Sequence, residues 1–331
     1  MLGENFEREI REQPSVWRTI AASAKAQVLA DALRGRPVLF LGSGSSLFMA
    51  QLGALALRKR GVDAHALAAT EAPFDHEAYR ECVVVACSQS GRSTDLLAAL
   101  DVIAPRTLVA LTNTADSPLA ASAQTVIDVE AGVERAVPAS KSVSATAAIL
   151  LWAASIAGAE SGRDTRSLRH VADAVEAWLR EPAGKIADAG DAIASCESVV
   201  VLGTGYGLPI AREFALKLKE ASYIHAEGFS AGEFRHGSAA ILDSSYAVVG
   251  VVDDAARDIV EKPLIKAREA GSLCYTIGGS LDSVAPLGPS GEGEFAVLAW
   301  IAVAQMVALQ TGRARRIDSD APRGQSKVLG A

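Results

Sequence analysis

Val38-Leu-Phe-Leu-Gly-Ser-Gly-Ser-Ser46 and Val199-Val-Val-Leu-Gly-Thr-Gly-Tyr-Gly207 decide the fold. Each is a short apolar run, then a Gly/Ser/Thr turn, then a helical pattern. That order opens a parallel-sheet βα unit, whose strands are apolar on both faces because helices cover them. The two stretches start 161 residues apart (199 minus 38), close to half of the 331-residue chain. Such a spacing means duplicated domains, since a solenoid repeats every ~20–50 residues.

Working outward, the first half continues with strand patterns at His65–Ala69, Cys82–Ser88, Thr107–Thr112 and Thr125–Val129. Helical patterns at Leu47–Arg60 and Thr94–Ile103 lie between them, and Ser142–Gly158 closes the half. A charged helix near Thr165–Leu179 follows, with Glu181-Pro182 as its stop. The second half gives strands Val199–Gly203, Ala247–Val252 and Leu273–Ile277, with helices Pro209–Ser222, Ala255–Ala270 and Glu294–Thr311. A loop region at Gly278–Gly293 holds a short strand near Val284. Alternating strands and helices predict an α/β protein: two tandem doubly wound, flavodoxin-like parallel-sheet domains and a C-terminal tail. The expected boundaries are an N-terminal helical segment at 1–34, a first domain at 35–160, a linker helix at 161–194, a second domain at 195–312 and a tail at 313–331.

Half of the residues are apolar and the formal charge is −7, from 32 basic and 39 acidic groups. A mildly acidic chain is a poor candidate for nucleic-acid binding, which favours a basic face. The N-terminus, MLGENFEREIREQP, has no apolar core of a signal peptide. The longest apolar helix pattern, Ala145–Gly158, is too short to cross a bilayer. Cys82, Cys87, Cys196 and Cys274 show no CxxC spacing and read as buried, reduced thiols of a cytoplasmic protein.

Ser88-Gln-Ser-Gly-Arg-Ser93 joins a strong strand to a helix. Such a turn aims hydroxyls and free backbone N–H groups from the positive end of a helix, which suits phosphate. Capping alone needs one hydroxyl, and here Ser88, Ser90, Ser93 and Thr94 cluster. The turn Gly42–Ser46, with Ser45 and Ser46, lies at the neighbouring strand end. It matches neither the dinucleotide fingerprint nor a nucleotide P-loop, so no NAD or ATP cofactor is expected. Val137-Pro-Ala-Ser-Lys141 reads either as a helix start with a surface lysine or as a third wall of a sugar-phosphate site.

Leu216–Gly237, LKLKEASYIHAEGFSAGEFRHG, crowds Lys217, Lys219, Glu220, His225, Glu227, Glu233 and His236 into one span. Packing has little use for so many ionisable groups; proton transfer on a phosphorylated substrate does. Glu220 and Lys217 read alternatively as a surface i,i+3 pair, and His236 as a structural histidine. His225 and His236 lie too far apart for one helical turn and HExxH is absent, so no metal site is expected. The last twenty residues read as a frayed end, yet carry Asp318, Asp320, Pro322, Arg323 and Lys327.

At these motifs the chain resembles the sugar isomerase (SIS) double-domain family. The segment Glu12-Gln-Pro14, the SQSG turn at Ser88–Gly91, the loop VPASK, the stretch ALKLKEASYIHAEGFSAGEFRHG, and Asp320-Ala-Pro-Arg323 with Lys327 occur in the family's order. The resemblance is to the isomerase portion of glucosamine-6-phosphate synthase and to stand-alone SIS-type glucosamine-6-phosphate deaminases. It implies phosphate binding by Ser88, Gln89, Ser90, Ser93 and Ser45, and a sugar-facing backbone at Val137. It implies Glu220 as the C1–C2 proton-transfer base and His236 as the ring-opening group, reaching a neighbouring site in a homodimer. Lys327 becomes a Schiff-base lysine, and Lys217 lies where it can stabilise an enediolate oxygen. Ser238, Pro138 and the Gly-Gln-Ser before Lys327 depart from the family pattern.

The synthase carries a glutaminase domain ahead of this portion, whereas this chain reaches its EQP segment by Glu12. The expectation is therefore an isomerising deaminase that converts glucosamine 6-phosphate and water to fructose 6-phosphate and ammonia, without a metal or redox cofactor. The alternatives are an isomerase or deglycase of another phosphosugar (fructosamine or galactosamine phosphate), and a non-catalytic sugar-phosphate-binding regulator.

Overall fold

The computed structural model describes residues 1–158, 165–181, 184–279, 281, 284, 286–291, 293–325 and 327. In chain order, α1 (Glu4–Ala22) and α2 (Lys25–Ala32) precede β1 (Val38–Gly42), α3 (Ser45–Arg58) and β2 (Ala64–Ala68). Then come α4 (His76–Tyr79), β3 (Val83–Ser88), α5 (Thr94–Ile103), β4 (Thr107–Thr112), α6 (Pro118–Ser122), β5 (Thr125–Asp128) and α7 (Lys141–Ala157). Next are α8 (Thr165–Arg180), α9 (Gly184–Ala194), β6 (Ser198–Gly203), α10 (Gly207–Ser222), β7 (His225–Ser230) and α11 (Ala231–Phe234). The chain ends with β8 (Tyr246–Val252), α12 (Arg257–Glu269), β9 (Leu273–Gly278) and α13 (Ala296–Ala314).

The chain divides into two compact units, each of three segments. One comprises Ser15–Glu134, Lys141–Arg169 and Ser326–Ala331. Its sheet has the order β2-β1-β3-β4-β5, every described pairing parallel. The chain steps from β1 to β2 on one side and to β3 on the other, so β1 and β3 flank a topological switch point. Strands β1 and β3 are buried along their whole length, as a sheet covered on both faces requires. Leu39, Leu41, Val84 and Ala86 share a core with Leu96, Ala99, Leu100 and Ile103 of α5. Helices α3 and α7 pack on each other, with Leu150 against Gly53.

The other unit comprises Met1–Pro14, Arg135–Ser140 and His170–Gln325. Its sheet has the order β7-β6-β8-β9, again parallel. Val200, Leu202, Val248 and Val252 form a core with Val260, Leu264 and Ala267 of α12. Helix α10 packs on α13, and α13 on α9. Burying each such Val, Leu or Ile contributes about 1.5–3 kcal/mol. The duplicated parallel α/β architecture expected from the two strand–turn repeats is therefore present.

Several local expectations need correction. His225–Ser230 is an edge strand in register with Ser198–Gly203, although its sequence, HAEGFS, has no apolar alternation. Main-chain pairing to β6 makes the strand, and the side chains are free to be polar. Near Val284 the described residues show isolated bridges, Leu281 to Val284 antiparallel and Thr276 to Pro286 parallel. The Glu181-Pro182 stop involves Pro182, which lies outside the described residues. Helix α13, at 19 residues, exceeds the Ala145–Gly158 pattern and is long and apolar enough to cross a bilayer. However, 89% of its apolar window is buried inside the protein, as in a core helix. Only Cys87 is fully buried; Cys82, Cys196 and Cys274 sit before a strand, after a helix and on an edge strand, and are partly exposed.

The tail through Gln325 is not frayed. Asp318 Oδ1 accepts the Gly3 N–H at 2.9 Å, and Asp320 accepts those of Asn5 and Phe6 at 2.7 and 2.8 Å. The free amides that open α1 are thus capped by carboxylates from the far end of the sequence. Arg323 stacks its guanidinium over Tyr223, 4.5 Å from the ring centroid, and donates its N–H to the Tyr223 hydroxyl at 2.6 Å.

Candidate active site

Parallel pairing of β1 with β3 sets the turns after them side by side. Gly42 carries no side chain because a Cβ there would stand 2.7 Å from the Ser46 carbonyl carbon. The turn then starts α3 at Ser45, so Ser45 and Ser46 lie at a helix N-terminus, where the Ser46 N–H turns back to the Ser43 carbonyl at 3.2 Å. The two turns are tied together by Ser43, which donates to Asp95 Oδ2 at 2.5 Å in the first turn of α5.

In Ser88–Ser93 the hydroxyls are organised around one another. Ser88 Oγ accepts the Gly91 N–H at 3.1 Å and lies 3.1 Å from Ser93 Oγ. Ser90 Oγ accepts the Arg92 N–H at 3.2 Å. Ser93 occupies the N-cap position of α5, yet its hydroxyl caps nothing. Simple capping therefore does not account for it. Gly91 has φ +62°, and a Cβ there would collide with Ser117. The Gln89 carbonyl accepts from Asn113 N and the hydroxyls of Thr112 and Thr114, which fixes the turn from the β4 side. The result is a rigid cluster of hydroxyls and amides at two helix N-termini, suited to an oxyanion.

The VPASK segment is split between the units. Lys141 begins α7 and is buried, so the expected surface lysine is not found; the helix start is. In the unit that holds residues 135–140, Glu9 of α1 has no exposed surface and accepts the N–H groups of Arg135 at 2.5 Å and Ala136 at 3.3 Å. Gln13 donates to Gln305 Oε1 at 2.9 Å, and Gln305 donates to the Ser140 carbonyl at 3.4 Å. The backbone either side of Val137 is thus pinned at both ends by buried side chains. Gln13 belongs to the EQP motif; this relay gives that motif a structural reason.

Helix α10 carries the acid–base groups of the same unit. Lys217 is 1% exposed and lies between two carboxylates, Glu213 Oε1 at 3.5 Å and Glu220 Oε2 at 2.5 Å. Glu213 is 1% exposed and Glu220 is 16% exposed. The alternative reading of Lys217 and Glu220 as a surface pair does not hold. Residues i, i+4 and i+7 share one helix face, so one cation serves an inner carboxylate and an outer one. Glu213 was missed in the sequence because its i,i+4 spacing to Lys217 reads as an ordinary solvent pair unless burial is known. Glu9 gave no signal of any kind.

His236 is exposed in the turn after α11, beside Gly237 with φ +111°. His225 is also exposed and lies 3.8 Å from Glu227 along β7. Lys327 Nζ donates to Glu134 Oε2 at 3.1 Å in the unit that holds the hydroxyl cluster. Of the proposed groups, the structure brings together Ser45, Ser46, Ser88, Gln89, Ser90 and Ser93 at one sheet end, and Lys217 with Glu220 on one helix.

The SIS domain family matches residues 34–156 and 192–286, and the chain belongs to it. A glutamine–fructose-6-phosphate aminotransferase (isomerizing) of Sulfolobus acidocaldarius is 27% identical over 97% of this chain and 56% of its own length. Its counterpart from Pyrobaculum aerophilum is 30% identical over the same shares. The chain spans about half the length of these curated relatives. Among solved structures, the C-terminal domain of glucosamine-fructose-6-phosphate aminotransferase from Francisella tularensis superposes with a TM-score of 0.84 at 22% identity, over 96% of this chain and 98% of that one. Glucosamine-6-phosphate deaminase from Thermotoga maritima gives 0.81 at 20% identity, over 98% and 99%. At these identities the structural likeness is one of fold.

Proposed function

We propose that the chain is an isomerising deaminase of an amino-sugar phosphate, taking glucosamine 6-phosphate and water to fructose 6-phosphate and ammonia. The observation that carries the reading is the α10 triad, a buried lysine clamped between a buried carboxylate and a partly exposed one. Such a pair offers a positioned base beside a fixed positive charge, which is what proton transfer next to a carbonyl needs. Membership of the SIS family and the isomerizing relatives support it.

In this reading the hydroxyls of Ser45, Ser46, Ser88, Ser90 and Ser93, with the Gln89 turn, hold the phosphate, and the Val137 backbone faces the sugar. His236, contributed to a neighbouring subunit's site in a homodimer, opens the ring. Glu220 takes the C2 proton, acidified by the C1 aldehyde, and returns it to C1. Lys217 offsets the charge that develops on oxygen. The C2 imine that results is hydrolysed, which releases ammonia and leaves the ketose.

Ammonia and fructose 6-phosphate should form from glucosamine 6-phosphate, and in D2O deuterium should enter C1 in those turnovers where the proton held by Glu220 exchanges with solvent before it is returned. Glu220→Gln should lower turnover by about 10²–10⁴-fold while substrate still binds. Ketose formed without ammonia would convert the reading to a plain phosphosugar isomerase. Binding unaccompanied by turnover in the unmodified chain would mark a sugar-phosphate-binding regulator.

A further inference from the structure

The proposed reaction gives no role to the buried acid Glu134. The Glu134 side chain has no exposed surface, and its two oxygens serve two purposes. Oε1 accepts the Ser142 N–H at 3.1 Å, and Oε2 accepts the Ser142 hydroxyl at 2.7 Å, which fixes the first turn of α7. Oε2 also accepts from Lys327 Nζ at 3.1 Å. Holding a helix start needs only a neutral acceptor such as Ser or Asn. A buried carboxylate is a costly substitute unless its charge is used. The cation it meets stands 193 residues away in sequence, and its side chain is 23% exposed.

We propose that Glu134 is the positioning residue for Lys327: it holds the ammonium, takes one of its protons to free the amine, and later gives that proton back. The inference rests on the reading above, in which a ketose phosphate is formed and Lys327 can engage its C2. The step balances without an external reagent. The Lys327 ammonium passes a proton to the Glu134 carboxylate. The amine nitrogen then bonds to C2 as the C2–O π bond breaks, and a nitrogen proton moves to that oxygen to give a carbinolamine. Glu134 returns its proton to the hydroxyl, which leaves as water, and a protonated Schiff base and the carboxylate remain. Water reverses these steps. Nothing is oxidised or reduced.

The test incubates the unmodified protein, Glu134→Gln, Glu134→Asp and Ser142→Ala with fructose 6-phosphate and sodium borohydride. Mass spectrometry measures the rate of adduct formation at Lys327. Exchange of the C1 proton of fructose 6-phosphate in D2O is followed in parallel, because Glu220 and not Glu134 governs it. Glu134→Gln keeps the shape and an acceptor for Ser142, and should slow adduct formation about a hundredfold, the low end for a lost proton-transfer group. C1 exchange should stay near the unmodified rate, because Glu220 is untouched. Glu134→Asp should recover part of the adduct rate. Ser142→Ala should lower the melting temperature and leave the adduct rate unchanged. Adduct formation in Glu134→Gln at the unmodified rate overturns the inference, as does loss of adduct and C1 exchange in equal proportion. C1 exchange with no Lys327 adduct in the unmodified protein overturns the inference alone. Absence of both overturns the functional reading with it.

Discussion

Lys217 shows how much a single side chain does in this protein. Its ammonium neutralises Glu213 in the interior and steadies Glu220 at the edge of solvent. Lys217→Met should therefore act twice. Breaking a buried pair from one side costs roughly 3–5 kcal/mol, to be read as a lower denaturant midpoint with unchanged slope. Turnover should fall as well, while Lys219→Met, at an exposed position on the same helix, should alter neither. At this scale the order of motifs in the sequence is what singles out Ser88–Ser93, Glu220 and Lys327 as candidates. It was silent where the role depends on depth. Glu9, Glu134 and Glu213 are indistinguishable by letter from surface glutamates; only tertiary burial separates them.

Helix α1 is the element whose stability is least local. Its opening amides are capped by Asp318 and Asp320. Asp320→Ala should lower the unfolding free energy by about 1 kcal/mol in chemical denaturation, and Asp320→Asn should recover only part of that, since one amide oxygen replaces two accepting carboxylate oxygens. The same helix carries Glu7. Burial pushes its carboxyl upward, but the hydrogen bonds and charges of Arg313 and Arg11 outweigh that and hold it below the usual carboxylate range. A depressed acid stabilises fully above its unfolded value, roughly pH 4.3, and that contribution vanishes as pH falls through the lower folded value. Glu7→Gln should accordingly flatten the part of the acid-unfolding curve below about pH 4.3, measured by circular dichroism. Helices and core strands were legible because their apolar periods are long. Strand β7 was not, because an edge strand can hold its place by backbone pairing alone.

For the whole chain, the duplicated strand–turn repeat was enough to reveal two parallel sheets. Which segments join which unit was not readable, since each unit collects three stretches of chain and periodicity is local. The four thiols report on integrity throughout. Burial drives Cys87 up to about 12 and, chiefly through burial, Cys274 up to about 11; Cys82 and Cys196 are raised as well. The thiolate is the reactive form, so a disulfide reagent at pH 8 should label the native protein slowly and Cys87 last. Rapid labelling of Cys87 without denaturant would contradict the β3 packing.

The carboxylates that cap α1 also set an order of events during synthesis. Asp318 stands 315 residues after Gly3, its hydrogen-bond partner. At ~5–20 residues per second the ribosome needs roughly twenty seconds to a minute to make the stretch between them. Throughout that interval the first turn of α1 has water where its caps will be. The helix that pins residues 135 and 136 is thus completed only after the residues it pins, and the strands of both sheets, have been made.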